Sequence, residues 1–230
     1  MKTVEMLLVK DESNRYLDRW LSRMDRICDE IVVLDNGSTD DTVEKLRLNP
    51  KVKVVEVCDL PFAEYERDLR YKLFQMAMSR EPDWIMAFDA DEFVEDRMNS
   101  EIVRLIGTPD IYWWSFRFYH FWGDENNYRI DKLWNPQVGN VGSRMMKVDQ
   151  NYPYAFFDRN FGCGSIPINW LRERKGDFSG LRIRHLGYAR EEDIKKKGLW
   201  YLEKDGGKSH AGSHIQSILD EHPVLEEWTE

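Results

Sequence analysis

Four short apolar runs, Val4–Val9, Ile31–Leu34, Val52–Val57 and Trp84–Phe88, punctuate the first part of the chain, and amphipathic stretches fill the intervals. Between the first two runs, Tyr16, Leu17, Trp20, Leu21 and Met24 recur at helical spacing over Asn14–Met24. A second helix is expected to run through Leu46, capped by Ser38 or Thr39, with Asp40 and Asp41 in its electropositive first turn. A third is expected over Glu64–Ser79, with Leu69, Leu73, Met76 and Ala77 turned inward. Strands without steady polar alternation have no face to give to water. Their alternation with helices therefore predicts an α/β fold, a mostly parallel sheet with helices on both faces. In such sheets ligands bind beyond the carboxyl ends of the strands. The polar residues at those ends are Lys10-Asp11-Glu12, Asp35-Asn36-Gly37-Ser38 and Asp89-Ala90-Asp91.

After about residue 107 the texture changes. Ile111–Trp134 is dense in Trp, Tyr and Phe, with a strand expected over Trp113–Phe118 and a loop over Gly123–Asn127. Residues 135–180 are rich in Gly, Asn and Pro and show no clear period, so loops and short strands are expected. Arg182–Leu186 reads as a last short strand, and Glu191–Leu202 and Ser213–His222 as helices. With no repeat or linker, the expectation is one domain over 1–230, made of a sheet half (1–107) and an irregular half (108–230).

Composition excludes several classes. A chain 42% hydrophobic and 13% aromatic is too apolar for disorder. A net charge of −9 argues against broad nucleic-acid binding but not against a small basic pocket. No apolar run approaches the roughly 18–20 residues that span a bilayer, and Met1–Val9 lacks the features of a secretory signal. Cys28, Cys58 and Cys163 are widely spaced and form no CxxC pair, as expected for reduced thiols in a cytoplasmic protein.

The sharpest chemical signal is Asp89-Ala90-Asp91. At a strand end, residues i and i+2 point the same way, so both carboxylates can face one pocket, with only the small Ala90 between them. A hard divalent cation that carries a diphosphate takes one or two such carboxylates and neutralises the charge of a departing diphosphate. The bland alternative is a solvated acidic turn, since Glu92, Glu95 and Asp96 follow. At the end of the second strand, Gly37 permits a tight turn, and Asp35 either accepts hydrogen bonds from a base or ribose or simply serves a strand-to-helix turn.

Taken together, Val4–Glu12, Val32–Thr42 and Trp84–Phe93 resemble the first half of a family 2 glycosyltransferase of the GT-A fold. The matching segments read Leu-Val-Lys-Asp-Glu, Val-Leu-Asp-Asn-Gly-Ser-Thr-Asp-Asp-Thr and Trp-Ile-Met-Ala-Phe-Asp-Ala-Asp-Glu-Phe. The three motifs occur in order over residues 4–95. The resemblance implies a nucleotide-sugar donor, with a UDP-sugar favoured, bound over 1–107 and an acceptor over 108–230. It implies Asp35 on the nucleoside side, Lys10 and Glu12 in the same crevice, Asp89 near ribose or metal, and Asp91 as a ligand to Mn²⁺ or Mg²⁺. The family's Arg-Asn pair ahead of the D-x-D strand reads Arg67-Asp68 here, making Arg67 a further donor candidate. Arg184-His185-Leu186-Gly187-Tyr188 resembles a late family segment whose histidine faces the metal or diphosphate, which implies a metal role for His185. Arg182 and Arg184 either reach a diphosphate or form surface ion pairs.

The implied activity is metal-dependent, inverting sugar transfer to a carbohydrate or lipid-linked acceptor hydroxyl, which needs a carboxylate base. Relatives commonly draw that base from a Glu-Asp pair some 25–30 residues before the late histidine, and this chain has no such pair there. Asp158 stands at the corresponding separation and is the chosen base, with Asp131, Glu173 and Asp177 as alternatives. Most aromatics of 112–134 read as core; Trp122, Tyr128 and Trp134 are the expected acceptor contacts. Lys195-Lys196-Lys197 reads as a solvated helix face, with peripheral membrane contact as the most it would add. Two other functions compete. A nucleotidyltransferase would want a glycine- and lysine-rich loop after the first strand, and Val9–Ser13 has no glycine. A degenerate, non-catalytic sugar-binding module is favoured by the missing Glu-Asp pair and opposed by the clustered carboxylates. A dinucleotide-dependent dehydrogenase is excluded, because no GxGxxG follows a strand.

Overall fold

A computed structural model describes residues 1–160, 162–205 and 217–229. The chain forms two compact units: Met1–Asp91, Asp96–Ser115 and Ser143–Ser179 make the first, and Glu92–Glu95, Phe116–Gly142 and Gly180–Glu230 the second. The opening elements are β1 (Thr3–Val9), α1 (Leu17–Ile27), β2 (Glu30–Asp35), α2 (Thr42–Leu48), β3 (Val52–Val57), α3 (Phe62–Met78) and β4 (Trp84–Met86). There follow β5 (Glu92–Val94), α4 (Met98–Gly107), β6 (Trp113–Trp122), β7 (Asn127–Arg129), β8 (Val141–Lys147), α5 (Ile168–Glu173), β9 (Gly176–Tyr188), α6 (Glu191–Asp205) and β10 (Leu225–Glu227).

In the first unit β1 lies between β2 and β4, parallel to both, and β2 is parallel to β3. β8 closes the far side of β4 in antiparallel pairing. On one face Val4, Met6, Val32, Leu34 and Ile85 pack with Leu69, Leu73 and Phe74 of α3. The intervening residues Leu7, Ile31, Val33, Trp84 and Met86 have no exposed surface either, nor do Leu17, Trp20 and Met24 of α1. Both faces are covered, and each such side chain contributes about 1.5–3 kcal/mol by burial. This is the predicted α/β architecture.

Its details differ from the expectation in places, each for a physical reason. α2 begins at Thr42, and neither Ser38 nor Thr39 caps it; the Thr42 N–H donates instead to Asp40 Oδ1 at 3.0 Å. β4 stops at Met86 because the Phe88 N–H donates to the buried Glu5 carboxylate (2.8 Å) and so leaves the ladder. Asp89-Ala90-Asp91 therefore lies in a turn, and strand alternation does not set the direction of its carboxylates. β5, α4, α5 and β10 had no clear sequence signature, and β9 runs 13 residues where a short strand was expected. Of the expected helix Ser213–His222, residues 213–216 lie outside the described residues, and only Ser217 and Ile218 of the rest are helical.

In the second unit β5 pairs with β9 and sets Glu92 opposite His185, while β7 pairs with β6 and β10. Trp122, Tyr128 and Trp134, expected as acceptor contacts, are buried here. Trp122 stacks on Tyr188 at 4.8 Å, and with Trp134 and Ile218 they form a core. The fully buried Arg129 lies 4.5 Å over Trp122 and binds Asp131 and Asp220. Among the described residues no helix is long and apolar enough to cross a membrane.

Candidate active site

Because β1, β2 and β4 are parallel, their carboxyl ends meet at one edge of the first unit's sheet, with Val9 opposite Asp35 in the ladder. The loops after β1 and β2 are sewn together there. Asp35 is fully buried, and its carboxylate accepts the Ser38 N–H (2.8 Å) and the Ser38 hydroxyl. The Asp11 N–H donates to Ser38 Oγ at 2.8 Å, and the Asp11 carboxylate accepts the Thr39 N–H at 2.7 Å. Thr42 Oγ1 accepts the N–H groups of Glu12 and Ser13 at 2.8 and 2.9 Å. The Asn36 side chain donates to the carbonyls of Cys58 and Leu60, both at 2.8 Å, tying in the end of β3. Gly37 has φ +74, and a Cβ there would sit 2.6 Å from Asp59 Oδ1, so the turn needs glycine. Lys10 is exposed, with its Nζ 3.9 Å from Asp59, while Glu12 is buried and paired with Arg15.

Asp40 holds the next tier by accepting from the Ser13 hydroxyl at 2.8 Å and from Thr42. Burial would raise its pKa, but the bonds from Thr42 and Ser13 outweigh burial and keep it below the ordinary carboxylate value. From the sequence alone this stretch reads as a helix cap and one ligand contact. Its side chains instead build the loop.

The turn after β4 is organised differently. Asp89 retains 33% side-chain exposure and faces Arg70 of α3, whose Nη1 lies 3.3 Å from Asp89 Oδ1. Arg70 is itself held from behind by Glu66 (3.6 Å), and Glu66 accepts the Gly162 N–H. Burial works against the Arg70 charge, but Asp89 and Glu66 outweigh it and raise its pKa. Arg70 was not foreseen. The available signal was a charged residue on the inward stripe of α3, between Leu69 and Leu73 and four residues after Glu66. Arg67, the sequence candidate, points elsewhere: it pairs with Asp158, the candidate base, whose side chain is 97% exposed. The structure thus unites Arg67 with Asp158 and assigns Asp89 a different arginine.

The other base candidates are engaged, Asp131 with Arg129, Glu173 with the Tyr152 hydroxyl (2.6 Å) and Asp177 with the Phe178 N–H (2.7 Å). In the second unit His185 Nδ1 lies 2.9 Å from His120 Nδ1. Arg184 donates to the Glu125 carbonyl at 2.8 Å, and Arg182 pairs with Glu95 at 3.1 Å under the Trp228 ring. Lys197 lies 5.0 Å over the Tyr188 ring, and Lys195 is exposed. The three cysteines are free, and burial pushes the Cys163 thiol up to about 12, so it is no nucleophile at neutral pH.

Among the described residues no three His, Cys, Asp or Glu side chains are grouped to hold a metal ion. Asp89 and Asp91 around the buried Ala90 nonetheless make a donor set suited to a divalent cation delivered with a diphosphate, which needs only one or two protein carboxylates. The residues fit a cation shared with a ligand.

Comparison with known proteins agrees with this geometry. The family described as Glycosyl transferase family 2 matches residues 14–170. An uncharacterized glycosyltransferase of Rickettsia typhi is 31% identical over 109 residues, 47% of this chain and 34% of that protein. The chain spans about a quarter to a third of the length of the curated relatives it matches. Staphylococcus aureus TarS 1–349 in complex with UDP-GlcNAc superposes with a TM-score of 0.52 at 15% identity, covering 95% of this chain and 70% of that one. Glucosyl-3-phosphoglycerate synthase from Mycobacterium tuberculosis, in complex with Mg²⁺ and UDP, gives 0.55 at 14% identity, covering 99% and 87%. At these identities the likeness is one of fold, the GT-A arrangement expected from the sequence.

Proposed function

Because the chain belongs to glycosyl transferase family 2, we propose that it moves a sugar from a nucleotide-diphosphate donor to an acceptor hydroxyl. The observation that carries this reading is the shared edge of β1, β2 and β4, where Lys10–Glu12, Asp35 and Asp89–Asp91 follow three parallel strands. The loops around Asp35 offer a preformed floor for the nucleoside. Asp91, with Asp89 beside it, would hold a divalent cation that, when bound, offsets the charge of the departing diphosphate. Arg70 holds the Asp89 carboxylate in place. The acceptor oxygen attacks the anomeric carbon in line as the bond to the diphosphate breaks, and Asp158 takes the hydroxyl proton. A single displacement of this kind inverts the configuration. A UDP-sugar is the favoured donor, supported by the UDP and UDP-GlcNAc bound to the two structurally similar proteins. A carbohydrate or lipid-linked sugar is the favoured acceptor. His185 as a cation ligand is a separate proposal on the strength of the family resemblance.

Thermal shift with UDP, GDP, dTDP or CMP, each with and without Mn²⁺, tests the reading. At about 100 times its dissociation constant a ligand stabilises by roughly 2.7 kcal/mol. UDP is expected to shift the transition only when Mn²⁺ is present. His185→Ala should shrink that shift, and Asp158→Asn should keep it while losing sugar transfer. If no nucleotide shifts the protein with metal, the donor site is wrong.

A further inference from the structure

The segment between β8 and α5, together with α5 itself, carries two cations, Arg159 and Arg172, that the protein leaves without acids. Phe156 is buried against α3, 5.9 Å from Phe74, and Asp158 is drawn to Arg67. With those two side chains fixed, Phe157 stays half-buried. The guanidinium carbons of Arg159 and Arg172 lie 4.8 and 5.2 Å from its ring centroid. Both arginines are exposed, and among the described residues neither has a carboxylate within ion-pairing distance. This is notable in a chain where acids outnumber Lys and Arg by 42 to 33. Their acidic neighbours in sequence are engaged elsewhere, Asp158 with Arg67 and Glu173 with the Tyr152 hydroxyl.

Two like charges gathered at one ring repel, and the ring's electron-rich face offsets only part of that repulsion at an exposed site. An oxyanion offset by either or both guanidinium forks would relieve it, with the planar geometry that suits phosphate and carboxylate. The Phe157 ring adds an apolar surface of the kind a sugar ring can lie on. The tie to the donor side is short: Arg67, which holds Asp158, precedes by one helical turn Arg70, the partner of Asp89.

We propose that Phe157, Arg159 and Arg172 form the acceptor subsite, and that the acceptor is an anionic sugar or polyol recognised through its phosphate or carboxylate. This rests on the donor reading above. The test is ligand-observed NMR with glucose 6-phosphate, glucuronate and glucose, in the presence of UDP and Mn²⁺, with UDP binding followed in parallel. At least one anion is expected to bind about tenfold more tightly than glucose, and the Arg159→Gln/Arg172→Gln double variant to lose most of that advantage. UDP affinity should be unchanged in the variant, and added salt should weaken anion binding. A preference for the phosphate or for the carboxylate identifies the anion. Equal binding of glucose and both anions, no binding of either anion, or full retention in the double variant overturns the subsite. Failure of UDP to bind the wild-type protein instead removes the donor reading.

Discussion

The loops after β1 and β2 and the turn after β4 leave the same edge of one sheet, yet their carboxylates do different work. Asp11, Asp35 and Asp40 each accept hydrogen bonds from backbone N–H groups or hydroxyls of the loops themselves. Asp89 keeps a third of its side chain exposed and faces a buried arginine. A carboxylate whose lone pairs are committed to the backbone gives rigidity, and withdrawing one such bond costs about 1–3 kcal/mol. A carboxylate poised between a cation and solvent can exchange partners when a ligand arrives. On the proposed reading the first region is scaffold and the second is where the chemistry takes place.

The largest expected effect separates the two. Asp91→Ala should lower turnover by at least ~10³-fold with the thermal transition nearly unmoved, read from initial rates and a circular-dichroism melt; retained turnover would erase the contrast. Next comes the scaffold. Thr42→Val keeps the shape of the side chain but removes the hydroxyl that accepts the Glu12 and Ser13 N–H groups, leaving the Ser13 N–H its weaker bond to Asp40 at 3.1 Å. Urea unfolding should show a loss of about 1–3 kcal/mol, and a neutral result would mean the loops do not depend on this network. The smallest effect is in pH. The folded pKa of Asp40 lies below its ordinary value, so its contribution is complete above the unfolded pKa of about 3.9 and fades as pH falls through the folded value. Relative to Asp40→Asn, the wild type should therefore lose its advantage below about pH 4. An advantage constant from about pH 3 to 6 would show that ionisation of Asp40 is irrelevant to the loop.

Some elements were legible because the cause is local. β3 falls on its predicted bounds, Val52–Val57, and Leu69, Leu73, Met76 and Ala77 of α3 are all buried. The end of β4 was not legible, because the group that ends it, Glu5, lies 83 residues away in sequence. The aromatics also misled. Trp122, Tyr128 and Trp134 sit among polar residues in the chain, but their neighbours in space are other rings and the buried Arg129. A turn-rich stretch such as 135–180 has no period from which β8 or α5 could be read.

Local pattern alone was enough for the α/β class, the helices that follow β1 and β2, and the end of β2 at which Asp35 stands. Periodicity and apolar runs encode which faces are buried, and burial is the largest favourable contribution to folding. Which partner each charged side chain takes was settled by the fold: Arg70 for Asp89, Arg67 for Asp158, and Phe157 beneath Arg159 and Arg172. Those pairings depend on distances across the fold that side-chain identity does not carry, since an arginine is equally suited to any carboxylate it meets.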